Sequence, residues 1–114
     1  MATNPLIAAV TRGNLTTAYQ TVYTVPSSVD RAGIDAVVFN NYSTVTASFS
    51  VRLVQSGVGD DLNEIVTIKA IRAGFNDLAP SMIGQSLIPG AQVQVKADIN
   101  DAINMTMTIT TITT

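Results

Sequence analysis

Alternation is the strongest signal in this chain. Val45, Ala47, Phe49, Val51 and Leu53 form one row of a stretch whose other row is Thr44, Thr46, Ser48, Ser50 and Arg52. Successive side chains of an extended backbone point to opposite faces, so this pattern predicts a strand with one buried and one wet face. The pattern recurs as Ala91, Val93, Val95, Ala97 and Ile99 against Gln92, Gln94, Lys96, Asp98 and Asn100. It closes the chain as Ile103, Met105, Met107 and Ile109 against Asn104, Thr106, Thr108 and Thr110.

Eight strands are predicted, at about residues 6–12, 19–25, 33–40, 44–55, 63–71, 78–83, 91–98 and 103–112. Turn chemistry separates them: Arg12-Gly13-Asn14, Pro26-Ser27-Ser28, Asn40-Asn41, the Ser56-to-Asp61 loop, Gly74-Phe75-Asn76-Asp77, Pro89-Gly90 and Asn100-Asp101. The expected fold is all-β: one antiparallel β-sandwich domain over residues 1–114, jelly-roll-like, with about eight strands. A closed barrel is the alternative this spacing leaves open. Residues 60–64 could form one helical turn. Ile65, Ile68 and Ile71 also fit a loose helical spacing, but the density of β-branched residues favours a strand there.

The two ends carry assembly options. Residues 1–10 could act as an N-terminal arm that adds a strand to a neighbour's sheet. Pairing within the chain's own sheet is the favoured reading, because sequence-adjacent strands usually neighbour one another. Residues 104–114 read as a C-terminal edge strand or a tail docked on a partner, since an exposed edge this free of charge invites aggregation unless covered.

Composition narrows the function. Of 114 residues 46% are hydrophobic and 12% charged, with a mean hydropathy of +0.32. Either another chain buries part of this apolar surface or Ala, Val and Thr simply fill strands. The net charge is −2 and the six basic residues are scattered, which argues against a nucleic-acid partner, because counterion release needs clustered Lys and Arg. No apolar run approaches the ~20 residues of a membrane span, and Met1 to Pro5 lacks the features of a secretory leader. The expectation is a protein kept in a cytosol or in a particle assembled there, without a membrane partner. The triplets beginning at Asn14, Asn41 and Asn104 match the glycosylation pattern and read as chance in a Thr-rich chain.

Candidate chemistry is sparse. There is no cysteine and no histidine, so disulfides, thiolate metal sites, the commonest general base and the commonest zinc ligand are all missing. A Ser or Thr nucleophile would depend on Lys69, Lys96 or a terminal amine, and neither lysine lies in a Ser-x-x-Lys pattern. Asp60, Asp61 and Glu64, with Asn63 beside them, offer oxygen ligands for a hard cation, but their spacing is not that of an EF-hand loop and a solvated turn is favoured. Glu64 with Asp77 or Asp98 could in principle pair as glycosidase carboxylates, a weak signal among so many acids. Tyr42 or Tyr19 could stack on a sugar. The preferred reading puts Phe39 and Phe49 in the core and the tyrosines at strand ends with their hydroxyls in water. Gly57-Val58-Gly59 lacks the third glycine and following helix of a phosphate loop. No catalytic, cofactor-binding or metal-binding residue is assigned, and the chain is read as a non-enzyme.

Thr21-Val22-Tyr23-Thr24-Val25-Pro26, then Gly33-Ile34-Asp35-Ala36-Val37-Val38-Phe39-Asn40-Asn41-Tyr42-Ser43, resembles small virion proteins of tailed bacteriophages. In these proteins a Tyr-Thr-Val-Pro strand end precedes a strand that closes in an Asn-rich turn. The resemblance continues at Leu87-Ile88-Pro89-Gly90-Ala91-Gln92-Val93-Gln94-Val95-Lys96-Ala97 and in the closing Thr strand. Ser27-Ser28 and the loop from Gly57 to Glu64 depart from it. The resemblance implies a virion structural component, either a capsid decoration (cement) protein or a neck or tail accessory subunit. Its expected partners are the major capsid protein or other virion subunits and copies of itself, as a symmetric homo-oligomer such as a trimer. It would be made in the host bacterial cytoplasm and carried in the virion. The rival is a carbohydrate- or receptor-binding module that uses loops 40–43 and 57–61.

Overall fold

The computed structural model describes residues 6–12, 14–57, 59 and 61–112, with residues 6–12 and Asp61 described as backbone. Among these residues the elements run β1 (Leu6–Arg12), β2 (Gln20–Thr24), β3 (Arg31–Asn41), β4 (Ala47–Val54), a 3-10 turn (Asp61–Asn63), β5 (Glu64–Ile71), β6 (Asn76–Asp77), β7 (Ser86–Leu87), β8 (Gln92–Ala97) and β9 (Ile103–Ile112). One sheet, sheet A, has the order β1-β9-β3-β6, with β7 also pairing β3; the other, sheet B, has the order β2-β8-β4-β5. Every pairing is antiparallel.

The pairing is nested. β4 pairs β5, β3 pairs β6 and β7, β2 pairs β8 and β1 pairs β9, so the chain is a long antiparallel ribbon folded back between β4 and β5. Rolling that ribbon brings β9 beside β3 and β8 beside β4. This is the double Greek-key winding of a jelly roll. Because the strands divide into two separately paired sheets, the body is a sandwich and not the closed barrel.

The inward rows are those the alternation predicts. Ala47, Phe49, Val51 and Leu53 of β4, Val93, Val95 and Ala97 of β8, and Ile103, Met105, Met107 and Ile109 of β9 are all buried. Phe39 of sheet A stacks on Phe49 of sheet B with ring centroids 4.0 Å apart and planes 17° apart. Each large apolar side chain buried this way contributes about 1.5–3 kcal/mol, and the facing rows together fasten the two sheets. Pro89-Gly90 builds a tight turn before β8: Gly90 has φ 85° and Ala91 N–H donates to Ile88 C=O at 3.0 Å. That is the geometry for which Pro and then Gly are the favoured central residues.

Four expectations are corrected. The strand expected at 78–83 is a run of turns, with Met82 N–H donating to Ala79 C=O at 2.9 Å and Ile83 N–H to Pro80 C=O at 3.3 Å. Ala79 and Met82 are buried while Leu78 and Ile83 are exposed, a spacing of three where a strand needs two. The short strands β6 and β7 flank this segment instead. The row through Val45 and Ile99 is shorter than predicted, since both residues are exposed beyond the ends of β4 and β8. The closing Thr strand is not an edge: β9 lies between β1 and β3, so the backbone of this uncharged strand is paired on both sides. Tyr19 and Tyr42 do not leave their hydroxyls to water: Tyr19 donates to Glu64 and Tyr42 to Asn14.

The two alternatives left open elsewhere resolve simply. Residues 64–71 form a strand, and the helical turn occupies Asp61–Asn63. Residues 6–12 pair with β9 in the chain's own sheet, while residues 1–5 and 113–114 of the expected arm and tail lie outside the described residues.

Candidate interaction surface

The outer face of sheet B is charged and cross-braced. Arg52 of β4 stands over the Tyr19 ring at 3.8 Å, and Lys96 of β8 approaches the same ring at 4.8 Å. Tyr19 donates its hydroxyl to Glu64, and Thr67 donates to the other carboxylate oxygen at 3.2 Å. Burial raises the Tyr19 phenol well above its ordinary pKa; the Glu64 hydrogen bond and charge add to the shift, and Arg52 opposes it. Gln94 Nε2 donates to Gln92 Oε1 at 3.0 Å and to Thr21 Oγ1 at 3.3 Å. Gly59 lies against this face. A Cβ at Gly59 would lie 2.6 Å from Gln94 Oε1 and 2.9 Å from Val54 Cγ2, so only glycine fits there without displacement.

Sheet A has a different outer face. Strand register sets Ala36 beside Thr108, Val38 beside Thr106 and Asn40 beside Asn104. It also sets Ala9 of β1 beside Thr108 and Thr11 beside Thr106. Between Ala36 and Asn40 of β3, and between Asn104 and Thr110 of β9, there is no charged residue. Charge appears toward the Arg31 end of β3, where Thr110 donates its hydroxyl to Asp35.

The sheet edges also differ. β5 is disrupted by two register shifts against β4, and Ile68, at φ 46° and 70% exposed, sits in the first of them. A β-branched residue in that conformation is strained by about 1–2 kcal/mol. Ser50 lies opposite this bulge, buried, and its Oγ accepts the Ile68 N–H at 2.9 Å. β2 carries its own register shift between Thr21 and Tyr23, and β6 and β7 are two residues each. Bulges and very short strands are how natural sheets discourage edge-to-edge pairing. β1 has neither device. It pairs β9 from Leu6↔Thr111 through Arg12↔Met105 without a shift, and no strand among the described residues pairs its second edge.

The residues weighed for chemistry are held apart by separate partners. Asp77 forms an ion pair with Lys69 at 3.4 Å and accepts the Ala79 N–H at 2.7 Å. Asp98 accepts the Ser48 N–H at 2.7 Å, and both Glu64 oxygens are engaged as above. Among the described residues no three acidic side chains gather as a cation site. The Asp60 side chain and the Asp61 side chain lie outside the described set.

Loop 40–43, suggested as a ligand-orienting loop, is internally saturated. Asn41 is fully buried. Its Nδ2 donates to Val45 C=O and Ile71 C=O, each at 2.8 Å, and its Oδ1 accepts from Ser43 N–H at 3.0 Å and Ser43 Oγ at 2.7 Å. The sequence signal for this role was the Asn-Asn-Tyr-Ser turn, which marks a turn but does not say which Asn points inward. The cavities are shallow: about 290 Å³ beside Ser50, Ile68 and Lys96, and about 400 Å³ beside Ile65, Lys69 and Pro80. Both are at or near the low end for small-molecule sites. Among the described residues no helix is long and apolar enough to cross a membrane.

In fold, the chain is similar to a chain of the T13 viral particle of infectious bursal disease virus, with 7% identity and a TM-score of 0.55 over 96% of this chain and 31% of that one. It is also similar to a chain of the Gx strain of that virus, with 8% identity and a TM-score of 0.58 over 96% of this chain and 33% of that one. It thus spans about a third of the length of those two chains. A chain of the Bacillus endospore appendages, described as disulfide-linked pili, aligns at 13% identity and a TM-score of 0.48 over 99% of this chain and 88% of that one. No protein-family model and no curated protein sequence matches the chain.

Proposed function

We propose that this protein is a non-enzymatic structural component of a virion, a capsid decoration (cement) protein of a tailed bacteriophage that binds and stabilises a shell of major capsid protein. The observation that carries the proposal is the outer face of sheet A, uncharged between Ala36 and Asn40 of β3 and between Asn104 and Thr110 of β9, and bordered by the unbroken strand β1. Such a surface has nothing with which to hold or activate a small substrate. It suits a second pleated surface, where many modest contacts repeated over a lattice add up to firm attachment. Support comes from the jelly-roll winding shared with chains of a viral particle, and from the resemblance of the 21–43 and 87–97 segments to small phage virion proteins. In this proposal the sandwich acts as one domain, copies associate as a symmetric homo-oligomer, and the protein is made in the host cytoplasm.

A neck, tail or fibre accessory subunit is the second reading, and it uses the same surface at lower copy number. A carbohydrate-binding module is less favoured, because Asn41 spends its whole amide on its own loop and on Ile71 of β5. Quantitative mass spectrometry of purified particles tests the assignment. Hundreds of copies per particle are expected for a shell protein, a dozen or fewer would move it to the neck or tail, and none would end the proposal.

A further inference from the structure

We infer that the open edge of β1 is a self-association site, at which two copies of this chain pair β1 against β1, antiparallel, about a two-fold axis through Ala9. The inference rests on the proposed role only in taking the protein to be a subunit that assembles. Its first support is the contrast among the edges: β2, β5 and the β6/β7 side are bulged or short, whereas β1 presents seven residues in unbroken register. Of all the edges, this is the one a second strand could extend without repacking.

The choice of a second copy comes from the strand's own sequence, Leu-Ile-Ala-Ala-Val-Thr-Arg. Centring the axis on Ala9 gives the longest overlap and sets Leu6 opposite Arg12, Ile7 opposite Thr11 and Ala8 opposite Val10. The strand has one charge, at its end. Two copies therefore meet without like charges facing, and the small Ala9 residues share the centre, where directly opposed Cβ atoms come within about 5 Å. The isologous arrangement is self-complementary by symmetry. It joins two copies of sheet A into one sheet, and it makes the uncharged rows Ala36–Thr108–Ala9 and Val38–Thr106–Thr11 continuous across the axis. Two strands of this length, about 24 Å, make a contact smaller than the roughly 1,200 Å² of a standard interface. The pair is therefore weak in solution, with a dissociation constant on the order of 10–100 μM, and two-fold where a trimer was expected.

Ala9 is in register with Thr108, off the positions paired with the buried Met107 and Ile109, so a charge is placed there. Sedimentation equilibrium of the full chain should show a monomer–dimer equilibrium. Ala9→Lys and Ala9→Glu should each weaken dimerisation more than tenfold, because two like charges then face across the axis. An equimolar mixture of the two variants should dimerise again, which also shows that both remain folded. A wild-type monomer throughout the millimolar range, a trimer indifferent to both variants, or variants that fail to pair when mixed would overturn the inference. Counting copies in particles is independent: a monomer that still decorates particles defeats the β1 pairing alone, and a dimer absent from particles defeats the virion role alone.

Discussion

The two outer faces of the sandwich solve opposite problems. Sheet B turns outward a set of long side chains that find partners among themselves: Arg52 and Lys96 on Tyr19, Tyr19 and Thr67 on Glu64, and Gln94 on Gln92 and Thr21. Gly59 is laid over that face, and β5 closes its edge with a strained bulge at Ile68. Sheet A turns outward short, neutral side chains from β3 and β9 and ends in the regular strand β1. Polar groups already satisfied internally gain little from a partner, because docking them exchanges one set of hydrogen bonds for another. Short neutral side chains cost little to desolvate or to order. The lesson is that self-sufficiency on one face and availability on the other are separate properties of the same fold.

Asn41 sits where the chain leaves sheet A for sheet B, and the largest effect is expected there. Asn41→Ala removes four hydrogen bonds from a buried site. Val45 C=O keeps the Ser43 hydroxyl at 2.9 Å while Ile71 C=O loses its side-chain donor, so stability should fall by about 2 kcal/mol, a drop in Tm on the order of 10 °C, read by calorimetry. A matched pair of surface changes then separates the faces. Thr106→Lys on sheet A should leave stability within about 0.5 kcal/mol of wild type yet reduce particle binding more than tenfold. Arg52→Ala on sheet B should cost about 1 kcal/mol through the lost ring contact and leave binding unchanged. If both variants lowered stability alone, the division of labour would be wrong.

The smallest effect concerns pH. The folded Tyr19 phenol has its pKa raised above the ordinary value of 10.0, so the folded state holds that proton more tightly than the unfolded chain does. The associated stability is fully present below about pH 10 and is lost as pH rises beyond it. Tyr23, also raised by burial, acts in the same direction. Urea titrations of wild type and Tyr19→Phe between pH 8 and 11 should show a shallower alkaline decline in the variant. Equal slopes would remove Tyr19 from the account.

Much of the fold was legible because alternation is a local consequence of extended backbone. The rows of β4, β8 and β9 are buried as the polar and apolar residues dictate. Where the pattern misled, a bulge or a turn had changed the period. On β3 the register shifts between Ile34 and Ala36, so Asp35 and Ala36 are both exposed in succession and the outward row containing Ala36, Val38 and Asn40 does not read as strict alternation. Residues 78–83 look like a strand by composition, yet Ala79, at φ 41°, and Pro80 bend them into turns. The interaction surface was hidden for a related reason: nothing in Thr106 and Thr108 separately, or in Ala36 and Val38, announces a face until β3 and β9 lie side by side.

The sequence by itself determined the long strands, the inward rows of β4, β8 and β9, the Pro89-Gly90 turn and the poverty of reactive groups, because each depends on neighbours a few positions apart. Only the tertiary structure decided that the closing strand lies inside its sheet, that Asn41 is consumed by its own loop and by Ile71, and that no other described strand pairs the second edge of β1. Those facts depend on which distant strands meet, and a hydrogen-bonding edge is free or occupied only by virtue of its neighbour.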